Sequence, residues 1–404
     1  MLTAIPKECF ISADRMYNSL ILVVDDIELN RKILSHSLQA HGYKNVITTT
    51  DGSEALKITQ EQNPALVILD LMMPKMDGFA YLKAIRQDGN YNTMPIIVQT
   101  ALDDIERKLE AFDLGASDYI CKPVEPRELS ARVQVHLSNT LLMDDLRLYK
   151  KRMGEELELA QKMQNRLMPN SQQVQMCERV FNLKIASHFE TSSDLGGDCW
   201  GIRPLSDNRL AIYTIDFSGH GMSSAMNVFR MHTIMQELLH AGGDPGNFLA
   251  TLNRHLHPLL ERDEFATMFY GIIDTDANCL LYSSAGAPSP ILISSLEAEP
   301  QMLNGRGFPL GVLPNATYET KYTPFMSRNL LLLYSDCLTE AKNEDGEALP
   351  EEEIKKLVKT IYDEQQQGNP AKHIVGKLSQ AIKEHSPNPL PDDLTITAYF
   401  RVPK

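Results

Sequence analysis

The sequence predicts two folded parts of different class, an α/β domain on a parallel sheet and a larger α+β domain, joined by a helix. From Leu20 to about Ser138, the β-branched runs LILVVDD, ALVILDL, MPIIVQTA and SDYICKP alternate with helical patterns such as ELNRKILSHSLQAHG. This is the alternation of a parallel sheet covered by helices on both faces. From about Asn139 to Met168 the chain is polar, poor in glycine and helical in pattern. There Leu142, Leu146, Tyr149, Met153, Glu156, Ala160, Met163 and Leu167 follow steps of four and three with one charged exception, the seam of a coiled coil ended by Pro169. Beyond Pro169 the runs LAIYTID, MFYGIID, CLLYSSA, LLLLYSD and LTITAYF read as strands, with helical stretches over 222 to 240, 246 to 262 and 351 to 384. Polar clusters at Gln366 to Pro370 and Ser386 to Pro391 read as surface turns.

The length of 404 residues fits two or three domains at the usual size of roughly 150 residues each. With 43% hydrophobic and 23% charged residues, the composition is that of a globular protein, and no apolar run reaches the roughly 18 residues of a membrane span. The balance of 39 basic against 53 acidic residues, net charge -14, offers no broad basic face for nucleic acid. The first residues, MLTAIPKECFISADRMYNS, lack the basic and apolar regions of a secretory signal, so a cytoplasmic location is expected. The six cysteines, at 9, 121, 177, 199, 279 and 337, show no paired spacing and are expected to be reduced thiols.

In a doubly wound sheet, sites form at the carboxyl ends of the strands. Asp25 and Asp26 follow LILVV, and Asp70 follows ALVIL. Three carboxylates meeting at one sheet edge repel unless they share a hard divalent cation such as Mg²⁺. Thr100 follows PIIVQ and Lys122 follows DYIC, adding a hydroxyl and a cation at the same edge. Such a set suits a phosphoryl group: the metal and Lys122 neutralise its oxygens, Thr100 donates a hydrogen bond, and one aspartate accepts it covalently. A single strand-end aspartate is more often a solvated helix cap, but five such residues in register are not. With Asp25-Asp26, Asp70 before LMMPKMDG, Thr100-Ala101 and Lys122-Pro123, residues 19 to 138 resemble the receiver domain of two-component response regulators. The resemblance implies a flavodoxin-like parallel sheet of order 2-1-3-4-5, phosphorylation of Asp70 by a sensor histidine kinase, and Tyr119 as the aromatic switch residue.

In the second part, DLGGD (Asp194 to Asp198), IDFSGHG (Ile215 to Gly221), LYSDCLTEA (Leu333 to Ala341) and PDDLT (Pro391 to Thr395) each set carboxylates beside glycine or at a strand end. Glycine lets the backbone approach an ion, and carboxylates without Cys or His partners favour Mg²⁺ or Mn²⁺ over zinc. Two ions about 3.5 to 4 Å apart can activate water for in-line displacement on a phosphate ester. Taken from composition alone, the same signals also fit a set of surface turns.

The wording and order of LGGDCWG, IDFSGHGMSSAM, FATMFYGIID, SSAGAPSPIL, GFPLGV, LLLYSDCLTEAKNEDGE and DDLT resemble the bacterial PP2C-type serine/threonine phosphatases of the sporulation and stress-response group. ELELAQKMQNRLMP resembles the regulatory helix leading into such domains. The resemblance implies a PP2C-like β-sandwich flanked by helices over 169 to 404, with a linker at 139 to 168. It further implies two Mn²⁺ or Mg²⁺ ions, with Asp216 bridging both, Asp198, Asp336 and Asp392 completing the set, and Phe217 adding its carbonyl. Asp393 is a weaker candidate ligand, and His220 reads as structural. The implied substrate is a phosphoserine or phosphothreonine protein, an anti-sigma factor antagonist.

Two positions depart from that group: Cys337 stands where SDG is usual, and Ala287 where SAGH is usual. A positive φ at Cys337 would cost on the order of 1 kcal/mol and displace Asp336. The expectation is therefore a response regulator that controls a metal-dependent phosphatase, homodimeric through its linker. The alternative is a phosphorylation-controlled pseudophosphatase that sequesters a regulator. A third reading, a serine kinase or anti-sigma module within the chain, has no supporting motif: the GKST signature of a P-loop and an evident Gly-rich ATP lid are both absent.

Overall fold

The computed structural model describes residues 13–101, 105–219, 221–238, 243–294, 299–343, 345–364, 369–386 and 390–403. His220, most of the turn at Gln366 to Pro370, part of that at Ser386 to Pro391, and the segment before Ala13 lie outside them. The chain divides into two compact units, Met1–Gly154 and Glu155–Lys404.

In the first unit, helix α1 (Ala13–Tyr17) precedes β1 (Leu20–Val24), α2 (Glu28–Ala40), β2 (Asn45–Thr49), α3 (Gly52–Gln62), β3 (Leu66–Asp70) and α4 (Gly78–Arg86). Then come β4 (Ile96–Ala101), α5 (Ile105–Asp113), β5 (Asp118–Lys122) and the start of α6 (Pro126–Asn165). The sheet is parallel, in the order β2-β1-β3-β4-β5. Central strands are apolar at every position because alternate residues face opposite helix layers. Leu22, Val24, Val67 and Leu69 pack with Tyr81, Leu82 and Ile85; Ile21, Val23 and Ile68 pack with Leu34, Leu38 and the α6 residues Leu129, Val133 and Leu137. Asp51 caps α3 through Ser53 and Glu54, and Asp77 caps α4 through Ala80.

Helix α6 runs unbroken through the predicted linker as far as Asn165, three residues short of its end at Met168. Its first turns bury Leu129, Val133, Leu137 and Leu141, whereas Leu142, Leu146, Tyr149, Met153 and Met163 are exposed.

The second unit holds α7 (Ser171–Phe181), β6 (Leu183–Glu190), β7 (Asp198–Pro204), β8 (Arg209–Phe217), α8 (Met222–Glu237), α9 (Pro245–Leu256), β9 (Ala266–Asp274) and β10 (Cys279–Ala285). It continues with β11 (Ile291–Ile293), β12 (Gln301–Met302), β13 (Lys321–Pro324), β14 (Leu330–Tyr334), α10 (Cys337–Glu340), α11 (Glu351–Glu364), α12 (Pro370–His385) and β15 (Leu394–Arg401). Two antiparallel sheets form, β13-β10-β9-β8-β7 and β12-β11-β14-β15-β6. Ile212, Phe269 and Leu280 of the first meet Ile185, Leu331 and Tyr399 of the second in the core between the sheets. Helices α8 and α9 cover the outer face of the first sheet, and α11 and α12 that of the second. The result is an α-β-β-α sandwich.

The helical stretch read over 351 to 384 comprises two helices, α11 and α12. Asn369 caps a new helix through the Lys372 N–H, and Pro370 in its first turn has no N–H to continue the previous one. Among the described residues no helix is long and apolar enough to cross a membrane.

Candidate functional sites

Parallel pairing brings the ends of β1, β3 and β5 together. Oxygens of Asp25, Asp26 and Asp70 lie within 4.8 Å of one another. Lys122 Nζ donates to Asp70 Oδ2 at 2.6 Å and to Asp25 Oδ2 at 3.3 Å. Asp25 Oδ1 also accepts from the Ile27 N–H at 2.9 Å and the Asn30 amide at 3.1 Å. Burial raises the Asp70 carboxyl above its ordinary value, against the lowering effect of Lys122. Burial works against the Lys122 ammonium, but the bond to Asp70 outweighs it and its pKa is raised. Gly78, the last residue of LMMPKMDG, lets α4 begin against this edge: a Cβ there would stand 2.5 Å from the Asp70 carbonyl oxygen.

Thr100 ends up buried near the end of β4, and its hydroxyl reaches the Ala101 carbonyl at 3.4 Å. Tyr119 meets Phe112 edge-on at 6.0 Å, with the Lys108 ammonium 4.9 Å from its ring centre.

In the second unit, two strand pairings gather the aspartates. Asp198 heads β7 and pairs with Asp216 near the end of β8. Asp336 follows β14, and Asp392 and Asp393 precede β15; these strands pair so that Tyr334 faces Ile396. The sheets are tied at this end, where Thr395 Oγ1 donates to Asp198 Oδ2 at 2.5 Å. Burial, then the charge of Asp216, pushes Asp198 well above the carboxylate range. Burial, then Asp336, Asp392 and Asp393, pushes Asp216 up to about 8. Burial, then Asp392 and Glu340, pushes Asp336 up to about 6. Buried carboxylates that raise one another form an all-oxygen donor set for hard cations. Among the described residues, only the Asp25 trio brings three carboxylate oxygens within 4.8 Å of one another. The backbone supports the fit: a Cβ at Gly197 would stand 2.7 Å from the Phe217 carbonyl oxygen.

Asp393 has a different setting. Its Oδ2 accepts from the Gly197 N–H at 2.7 Å and the Asp198 N–H at 3.4 Å; its Oδ1 accepts from the Ser192 N–H at 2.8 Å and hydroxyl at 3.1 Å. A Cβ at Gly196 would run into that carboxylate. The other side of the loop is held by Gln164 of α6, 2% exposed, whose Nε2 donates to the Gly196 carbonyl at 2.6 Å and whose Oε1 accepts the Gly196 N–H at 3.3 Å. Gln164 and Thr395 lie within the quoted stretches ELELAQKMQNRLMP and DDLT, but neither stands out in the sequence as a site residue.

The two departures are accommodated. Cys337 opens the helical turn α10 and is absent from the residues with positive φ, so no backbone strain arises there. Its thiol is fully buried, and burial pushes it up to about 12. Ala287 is buried beside Gly286, whose φ of 78° takes up the turn.

A parallel sheet with a carboxylate-lysine edge and a two-sheet sandwich with an aspartate cluster define a receiver coupled to a PP2C-type domain. Residues 21–134 match the response regulator receiver domain, and residues 206–401 match the family described as Stage II sporulation protein E (SpoIIE). The chain belongs to the response regulators, with an N-terminal receiver domain and a C-terminal SpoIIE, PP2C-type phosphatase domain.

Among its relatives, the probable transcriptional regulator ycf27 of Porphyridium aerugineum is 44% identical over 30% of this chain and 48% of its own length. The alkaline phosphatase synthesis transcriptional regulatory protein PhoP of Bacillus subtilis (strain 168) is 44% identical over 30% of this chain and 49% of its own. The chain spans about half the length of the curated relatives it matches first. The solved SiaA-PP2C domain of Pseudomonas aeruginosa shares the fold of the second unit, with TM-score 0.53, 21% identity, and coverage of 63% of this chain and 99% of that one.

Proposed function

We propose that this chain is a phosphorylation-controlled, metal-dependent serine/threonine protein phosphatase, with its receiver over 19–138, a helical linker over 139–168 and its phosphatase domain over 169–404. The observation that carries the reading is the set Asp198, Asp216 and Asp336, buried, mutually repelling and tied to the linker helix through Gln164.

In the receiver, Asp25, Asp26 and Asp70 would hold one Mg²⁺. An Asp70 carboxylate oxygen forms the new bond to phosphorus while the donor's N–P bond breaks, the donor being a sensor histidine kinase. Lys122, already 2.6 Å from Asp70, balances the incoming charge. Thr100 and Tyr119 then report the change, Thr100 by turning toward the phosphoryl group.

In the phosphatase, Asp198, Asp216, Asp336 and Asp392 with the Phe217 carbonyl would hold two Mn²⁺ or Mg²⁺ ions. When bound, such a pair supplies an acidified water and positive charge for the phosphate oxygens. The carboxylates fix the place of attack, Thr395 orients Asp198, and the serine or threonine oxygen leaves as phosphorus takes the water oxygen. The substrate class implied by the motif resemblance is a phosphorylated anti-sigma factor antagonist.

Asp393 belongs in this reading to the loop rather than to the ions, since four donors already occupy its oxygens. Asp393→Asn should therefore lower Mn²⁺ affinity by roughly tenfold, as loss of supporting contacts does at metal sites, while two ions still bind at saturation. Manganese titration followed by electron paramagnetic resonance counts them, and a fall to one ion would make Asp393 a ligand.

The exposed stripe Leu146, Tyr149, Met153 and Met163 supports pairing of two chains along α6. Coupling through this helix is tested by inserting Gly-Gly after Lys151. Turnover of a phosphoserine peptide should then stop responding to beryllofluoride at Asp70, while basal turnover persists; an unchanged response contradicts helical transmission. Sequestration without catalysis finds no support in strain at Cys337.

A further inference from the structure

A pocket of about 250 Å³ opens on the α8 and α9 side of the second unit, away from the aspartate cluster. Its walls come from the α6–α7 joint (Leu167, Pro169), from β7 and from the end of α8. Tyr213, Phe248 and Tyr270 supply flat aromatic surfaces, the last two stacked at 4.1 Å. Gly201 keeps the floor open, because a Cβ there would run into the Tyr213 ring. An engineered apolar cavity of about 150 Å³ already admits benzene, so one aromatic ring with a polar substituent fits.

Charge narrows the ligand class. Arg203 lines the pocket, and its Nη1 donates to the Met235 carbonyl at 3.2 Å. Among the described residues it has no carboxylate partner, and no Asp or Glu lines the pocket, although the chain carries a net charge of -14. His232 stands in the same wall. A guanidinium left without an acid in a pocket with aromatic walls is matched by a carboxylate, which it can engage through two parallel hydrogen bonds while the ring stacks on the walls.

We propose that this pocket binds a small aromatic carboxylate. The ligand's ring lies between Tyr213 and the Phe248–Tyr270 pair, and its carboxylate meets Arg203. The site adjoins all three supports of the aspartate cluster: the linker joint, the strand headed by Asp198, and the helix that follows Asp216. It is therefore placed to sense a metabolite independently of Asp70.

The test uses the full chain and two probes of nearly equal shape and opposite charge, benzoate and benzamidine, titrated by calorimetry. Benzoate should saturate one site per chain, at least about tenfold more tightly than benzamidine, the discrimination a charge-assisted bidentate pair gives. Arg203→Gln should weaken benzoate by a similar factor and leave benzamidine unchanged. Gln236→Trp, at the exposed lip, should block benzoate without altering Arg203, and it keeps the test decisive if Arg203→Gln does not fold. Unsaturable benzoate, equal binding of benzamidine, or a folded Arg203→Gln variant with undiminished benzoate affinity would overturn the assignment.

Discussion

Asp216→Asn is expected to abolish phosphate ester hydrolysis and, in chelator, to make the C-terminal unit more stable rather than less. Both effects come from one charge. Asp216 sits where two sheets deliver Asp198, Asp336, Asp392 and Asp393, and its carboxyl is pushed up to about 8 by burial and then by Asp336, Asp392 and Asp393, against the lowering effect of its hydrogen bond with Asp198. A carboxyl raised in the folded state holds a proton that the unfolded chain releases. Metal-free stability is therefore greatest at the acid end and falls as pH climbs from about 4 toward 8, at about 1.4 kcal/mol for each unit of displacement. Asparagine removes the charge and flattens that slope. Thermal unfolding in chelator at pH 5 and pH 8 should show a larger loss in wild type than in the variant, where Asp198 and Asp336 still titrate, with the variant ahead by on the order of 1–3 kcal/mol at pH 8. A variant less stable than wild type at pH 8 in chelator contradicts the repulsive cluster.

Gln164→Ala is the second large effect. It removes a side chain 2% exposed that both donates to and accepts from Gly196, leaving a buried carbonyl and N–H without partners. Such losses cost about 1–3 kcal/mol of stability. The functional loss is larger in proportion, because Gly196 lies two residues before Asp198 in the loop that Asp393 grips from the other side. Turnover should fall by about 10- to 100-fold, the range seen when supporting contacts at metal sites are lost, and excess Mn²⁺ should restore part of it. Gln164→Glu keeps the acceptor and should fall between the two. Unchanged turnover in a folded Gln164→Ala chain would separate the linker helix from the catalytic loop.

The receiver was readable because its chemistry sits at the ends of local apolar runs: LILVV, ALVIL and DYIC each deliver a charged residue to one edge by period-two geometry. The aspartates of the second unit were readable only as words in a family pattern, since Asp198 and Thr395 are 197 positions apart. What escaped is what long-range approach decides. Gln164 looks like any polar residue of a helix until it is found against Gly196, and Asp393 differs from Asp392 only in which donors surround it. Cys337 looked like a strained replacement for glycine, yet its backbone belongs to a helical turn. The boundary between α11 and α12 was visible in the turn read at Gln366 to Pro370, since Asn369 caps the second helix and Pro370 opens it.

The most direct measurement is hydrolysis of p-nitrophenyl phosphate and of a phosphoserine peptide by the full chain, with Mn²⁺ or with chelator, in wild type and Asp216→Asn, before and after loading the receiver with beryllofluoride. The account predicts turnover that requires Mn²⁺, vanishes in Asp216→Asn and changes on loading. Turnover indifferent to chelator and to Asp216, or none in any state with no Mn²⁺ bound, would contradict it.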